Sequence, residues 1–252
     1  MTLTRDPSEP SLEQRLRERE RPERKPVMFQ TWQKLLFLHW AWDPVELQAC
    51  LPPGLFIDTW GGRAWLGVVP FYMRNIRPVW SPSVPGISHF LELNVRTYVY
   101  DGEGRPGVWF FSLEANQALA VKLARRFFSL PYHHAKMQAE TVDGEVRYCS
   151  RRRGEASSST FAYRGEGPER VADPGSFEFF LVERYLLFAW RAGKQHLFRG
   201  RVVHPAYRIR DAVLTEYETD LFTLNGFQSP HRPADHQLYS EGVDVDVFPL
   251  EG

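Results

Sequence analysis

Polar and apolar residues alternate most cleanly over residues 90–100, where Leu91, Leu93 and Val95 interleave with Glu92, Asn94 and Arg96. A period of two puts the two triplets on opposite faces of a β-strand. Asp101-Gly102 and Gly104 predict a turn, and residues 108–113 a returning strand. Further hairpins are predicted from residues 57–59 through Gly61-Gly62 to residues 64–72, around Asp143-Gly144, across 154–159, and between 185–190 and 196–203 with a turn at Ala192-Gly193-Lys194. Val243, Val245 and Val247 alternate with Asp244 and Asp246, as in an edge strand.

Helical spacing is scarcer. Residues 115–128 predict a helix with Leu119, Leu123 and Phe127 on one buried face. Asp43 as N-cap with Pro44 behind it predicts a short helix, stopped by Pro52-Pro53-Gly54. Another is predicted over 177–184, and residues 131–137 read as extended. Many hairpins with few helices define an α+β protein built on an antiparallel sheet or barrel.

The 252 residues, 43% hydrophobic with 8 Trp, 18 Phe and 10 Tyr, suffice for a large core or an aromatic-lined pocket in one domain spanning 27–252. Residues 1–26 are rich in Arg, Glu and Pro and predict a disordered charged tail, with one frayed helical turn near 12–19. On that reading its deletion leaves the melting temperature unchanged. Lys plus Arg equal Asp plus Glu at 31 each, so no global field draws nucleic acid or an anionic membrane. The run Arg151-Arg152-Arg153 reads as a solvated hairpin end. Cys50 and Cys149 form no CxxC pair, the chain opens on polar residues, and no apolar run reaches membrane length. The expectation is a cytoplasmic protein with no membrane partner; a homo-oligomer is compatible with it.

No GxSxG, GxGxxG, Walker loop or HExxH occurs. His133 and His134 are adjacent and face opposite sides of a strand, while His231 and His236 flank a Pro-rich loop, so neither metal nor cofactor is expected. Glu92, Asn94 and Arg96 allow two readings. They form the wet face of an amphipathic strand, or they line an interior where Glu92 and Arg96 pair or hold a ligand. Tyr132, His134 and Lys136 alternate similarly and form either an exposed face or a second polar wall.

The segments LHWAWDP, LPPGL, GRAWLGVVPFYMRNIRP, PGISHFLELNVRTYV, VWFFSLEA, LARRFFSLPYHHAKM, FLVERY and YSEGVDVDV run in order over nearly all of residues 30–248. In these blocks the chain resembles the bacterial YqjF-like family, a domain of unknown function similar in fold to the acetoacetate decarboxylase superfamily. The resemblance implies a closed antiparallel β-barrel with helices packed outside and a polar cavity inside. It also implies that Glu92 matches a strand glutamate that assists the superfamily's active site. The superfamily's Pro-Lys-Lys motif, which carries the Schiff-base lysine, corresponds to Pro131-Tyr132-His133 here. Tyr132 therefore stands where the amine would be, and a phenol forms no iminium with a keto acid. Lys136 lies four residues on, on the Tyr132 face.

Three functional classes follow. The first is binding of a small anionic organic molecule by Glu92, Asn94, Arg96, Tyr132 and His134. The second is an enzyme acting on a small keto or carboxylic acid, with Glu92, His134 or Lys136 as acid–base groups and no Schiff base. The third is a structural, partner-binding module. Convergence of these side chains on one cavity would separate the first two from the third.

Overall fold

The chain builds long strands and short helices. The computed structural model describes residues 9–191, 193 and 195–252, with the side chain of Phe127 left out. Their order is α1 (Leu12–Arg17), β1 (Met28–Trp42), α2 (Pro44–Gln48), β2 (Leu55–Ile57), β3 (Ala64–Pro78), β4 (Phe90–Asp101) and β5 (Pro106–Ala115). Then come α3 (Ala118–Leu123), a π turn (Ala124–Phe128), β6 (Tyr132–Val142), β7 (Glu145–Arg152), β8 (Ser159–Val171) and α4 (Phe177–Val182). β9 (Leu186–Arg191), β10 (His196–Val203), β11 (Arg208–Glu218), α5 (Leu221–Leu224) and β12 (His236–Val247) complete the order.

The strands form one sheet whose pairing returns on itself. Neighbours run β4, β5, β6, β7, β8, β11, β12, β1, β3 and back to β4. A shorter circuit passes from β5 through β9 and β10 to β12, joined where Val202 and Val203 pair with Val247 and Asp246. Two pairings are parallel, β5–β6 and β5–β9, against the wholly antiparallel expectation. A parallel pair needs a crossover, and α3 with its π turn carries the chain from β5 to β6.

The sheet is buried on both faces, so its central strands read as apolar runs. Residues 64–73 of β3 are buried without a break. Two apolar clusters result. One holds Trp40, Leu66, Leu91, Leu93, Val95, Tyr148 and Phe161, and the other Phe37, Phe71, Tyr98, Tyr132, Phe180 and Val245. β4 lies between them, so the reading of Glu92, Asn94 and Arg96 as a wet face does not hold: Glu92 and Asn94 are buried and Arg96 is half-buried.

Four local expectations change. Leu119 and Leu123 are 45% and 46% exposed, and Val121 is the residue of α3 that enters the core. The α-helix ends after six residues, and the π turn's wider spacing moves later side chains off an every-fourth face. Val121 joins the cluster of Tyr132, on the other side of β4 from Leu91, Leu93 and Val95. The Phe127 side chain and residues 192 and 194 of the Ala192–Lys194 turn lie outside the described residues; the flanking β9 and β10 pair as a hairpin.

Gly61 and Gly62, with φ of 61° and 72°, form the two-residue turn, but it joins only Trp60 to Arg63. β2 pairs with β4 instead of β3, and Asp58 extends that pairing by donating its N–H to Tyr98 O at 2.9 Å. β12 is no edge strand, because β1 and β11 flank it. Its alternation separates buried Val243, Val245 and Val247 from Asp244, which accepts the Thr31 hydroxyl at 2.8 Å, and Asp246, which pairs with Arg21 at 2.6 Å. Gly242, at φ 142°, has no room for a side chain: a Cβ would stand 2.1 Å from Trp32 O.

The segment read as a disordered tail packs on the domain, apart from residues 1–8, which lie outside the described residues. Ser11 and Gln14 close a capping box over α1. Arg15 grips the fully buried Asp58 with two bonds of 2.6 and 2.7 Å, and Arg184 reaches the same carboxylate at 2.7 Å. Glu18 is buried against Arg201. A charge-rich composition offers no apolar face to predict this docking, which rests on ion pairs to residues distant in sequence. Asp58→Asn should cost about 3–5 kcal/mol in urea unfolding, because it strips the counter-charge from two guanidinium groups. Deleting residues 1–26 should lower the melting temperature measurably, where an independent tail would leave it unchanged.

Candidate functional site

β4 carries its polar residues into the cluster that contains Tyr132. Glu92 accepts the Tyr132 hydroxyl at 2.7 Å, and Tyr148 donates to the Glu92 backbone carbonyl at 2.8 Å. Burial raises the Glu92 carboxyl to about 7, against opposing hydrogen bonds from Tyr132 and Asn94. Burial and the adjacent carboxylate push the Tyr132 phenol well above its ordinary range, so it remains a donor. Asn94 Oδ1 is buried without a partner.

Two residues along the same face, about 7 Å away by strand rise, Arg96 lies 5.6 Å from the ring centres of both Phe37 and Tyr98. It donates weakly to Tyr98 Oη at 3.4 Å and Leu181 O at 3.3 Å, and its Nε is buried and unpartnered. His39 joins it from β1, fully buried, with Nε2 2.7 Å from Tyr98 Oη and Nδ1 unpartnered. Burial, then His236 and Arg96, hold the His39 imidazole well below its ordinary range and therefore neutral. Gly67 faces Arg96 across the β3–β4 pair, and a Cβ there would lie in ordinary van der Waals range of the Arg96 and His39 side chains.

The structure thus brings Glu92, Asn94 and Tyr132 together and sets Arg96 beyond them with His39. It does not bring in the rest. His134 is half-buried one step past the Glu92–Tyr132 contact, with its backbone carbonyl bonded to Arg153 N at 3.0 Å. Lys136 is exposed in a separate cleft lined by Arg151, Arg152 and Arg153. The sequence signals His39 only through the alternation Leu35, Phe37, His39, which puts an imidazole on an apolar face. Among the described residues no three His, Cys, Asp or Glu side chains gather closely enough to hold a metal ion, and no helix is long and apolar enough to cross a membrane.

Residues 29–244 match the DUF2071 family, described as an uncharacterized conserved protein. The chain belongs to that family. It is 36% identical over 227 residues to the uncharacterized protein YqjF of Bacillus subtilis (strain 168), covering 89% of this chain and 91% of that one. Among solved structures, the family's fold is similar to the enduracididine biosynthesis enzyme MppR complexed with the condensation product of pyruvate and imidazole 4-carboxaldehyde. That match has a TM-score of 0.64 at 13% identity over 90% of each chain. It is also similar to acetoacetate decarboxylase from Legionella pneumophila, with a TM-score of 0.62 at 12% identity over 91% of this chain and 89% of that one. An acetoacetate decarboxylase-like enzyme from Sphingomonas wittichii RW1 matches at a TM-score of 0.58 and 15% identity, over 88% and 92%. The family therefore has an acetoacetate decarboxylase-like fold.

The Glu92 carboxyl sets a pH dependence. Its folded value of about 7 lies above the ordinary 4.5, so the folded state holds the proton more tightly. This contribution is complete below 4.5 and is lost as pH rises through about 7. Glu92→Gln, which keeps an acceptor for Tyr132, should flatten that loss and leave the variant more stable than wild type at pH 8. Unfolding titrations at pH 5 and pH 8 measure it; equal pH slopes would show that Glu92 is charged throughout.

Proposed function

We propose that the ring of strands closes as a barrel and that its interior binds a small organic anion, a carboxylate the size of a short keto acid. Arg96 supplies the charge, and Asn94, His39 and protonated Glu92 supply hydrogen bonds. The observation that carries this reading is the state of Arg96. Its guanidinium is half-buried between two aromatic rings, and among the described residues it has no carboxylate partner and leaves its buried Nε unmatched. A desolvated guanidinium presents a planar fork suited to a carboxylate. MppR has been captured with pyruvate, and that likeness in fold supports the same ligand class here. Two free cysteines accord with a cytoplasmic setting.

A second reading makes the site an enzyme on the same acids. The Glu92 carboxyl, held at about 7, favours it, because a general acid–base group works best near the ambient pH. The family resemblance puts Tyr132 where the superfamily has its lysine, so no Schiff-base step is assigned. His134 and Lys136 have no contact that draws them into this reading.

Thermal shift with pyruvate and acetoacetate, on wild type and Arg96→Ala, tests the binding site. Wild type should gain stability with ligand, and the variant should lose at least tenfold in affinity. Equal shifts in both proteins would reject Arg96 as the anion site. Proton NMR of the incubated acids then separates the readings: turnover abolished by Glu92→Gln supports the enzyme, and unchanged acids support the binder.

A further inference from the structure

The hairpin end of β7, with the facing part of β6, carries a second charged feature. Lys136 and Arg151 are directly opposed across the antiparallel β6–β7 pair. Like charges in facing positions of a sheet repel. Among the described residues, neither they nor Arg153 lies within ion-pair distance of a carboxylate. With Arg152 they line a cleft of about 650 Å³, floored by Gly154 and Ala156 and bordered by Glu155. A chain with 31 cationic and 31 acidic side chains has here concentrated four of its cations around one concavity.

Arg152, opposed to buried Ala135, turns its side chain to the other face of β7 from Arg151. Its side chain is 9% exposed, its Nε donates to buried Glu114 at 3.0 Å, and Glu114 also accepts Ser150 Oγ at 2.5 Å. Arg152 Nη1 reaches Leu224 O at 3.5 Å, while Nη2 is buried with no partner. That unmatched donor lies on the core side of β7, so the cleft is left to Lys136, Arg151 and Arg153, none of which is ion-paired among the described residues. Nearby His133 is held at about 4 by burial, then by Arg152 and Arg125, so it adds no charge of its own.

An occupant must carry more than one negative charge and present oxygens in several directions. Arg151 and Arg153 are two residues apart, about 7 Å along an extended chain, and Lys136 faces Arg151 from the next strand. A single planar carboxylate cannot meet all three, whereas two linked phosphates offer tetrahedral oxygens to two guanidinium forks and an ammonium. We propose that this cleft binds the diphosphate group of a small soluble molecule, gripped by Lys136 and Arg151 from facing strands and by Arg153 at the hairpin end. The site is separate from the interior around Arg96 and does not depend on the function proposed for it.

Calorimetric titration of the full chain with pyrophosphate at low salt tests the site. Saturable binding is expected, weakening steeply with added sodium chloride. Lys136→Gln/Arg151→Gln should lower the affinity at least tenfold, while Arg96→Ala should leave it unchanged. Lys136→Glu, without any ligand, should melt no lower than wild type, since it replaces a repelling pair with an attracting one. Equal pyrophosphate affinity in wild type and the double variant would overturn the proposal. So would binding to anionic phospholipid vesicles without binding to soluble pyrophosphate.

Discussion

β4 is covered on both faces, and that constraint governs the polar residues it carries. A polar group buried there must find a partner inside the protein or be left unsatisfied. Glu92 finds Tyr132 and Asn94, and burial then keeps its proton on to about 7. Arg96 finds only weak neutral acceptors and two ring faces. The interior follows from this difference: Glu92, early in the strand, keeps its proton up to about pH 7, and Arg96, mid-strand, has no carboxylate partner among the described residues.

The same cluster holds a second charged centre. Asp58, fully buried, binds Arg15 from α1 and Arg184 from the end of α4, and Arg184 lies over the Phe180 and Tyr98 rings at 4.4 and 5.0 Å. Like charge and burial bring Arg184 down to about 10, burial being the larger cause. Tyr98 then bonds His39 and Arg96. The N-terminal segment is thus coupled through Asp58, Arg184 and Tyr98 to the residues proposed to hold the anion. Removing one member of such a buried ionic set leaves the other charges uncompensated.

The two proposed anion sites differ in how they meet desolvation. Arg96 is half-buried among aromatic rings, so its interactions are strengthened by a dry surrounding and weakly screened by salt. Lys136, Arg151 and Arg153 are exposed, and their combined field depends on ionic strength. The proposed carboxylate inside and diphosphate outside would suit those two settings.

Local patterns determined much of this protein. Alternation located β4, glycine pairs located turns, Asp43 and Pro44 located a helix start, and the ordered blocks from LHWAWDP to YSEGVDVDV marked the family. Those signals are carried within a few residues or by motif order, so they survive without knowledge of the fold. The alternation of Glu92, Asn94 and Arg96 also put them on one face, but not whether that face was wet. Only the tertiary structure decided that it is buried, because coverage of the strand comes from β1, β12 and α4, far away in sequence. It likewise turned Lys136 out to the arginines, brought His39 to Arg96, and docked the charged N-terminal segment onto Asp58. Each depends on pairing between segments many residues apart, and a two-residue period is blind to what lies across a sheet.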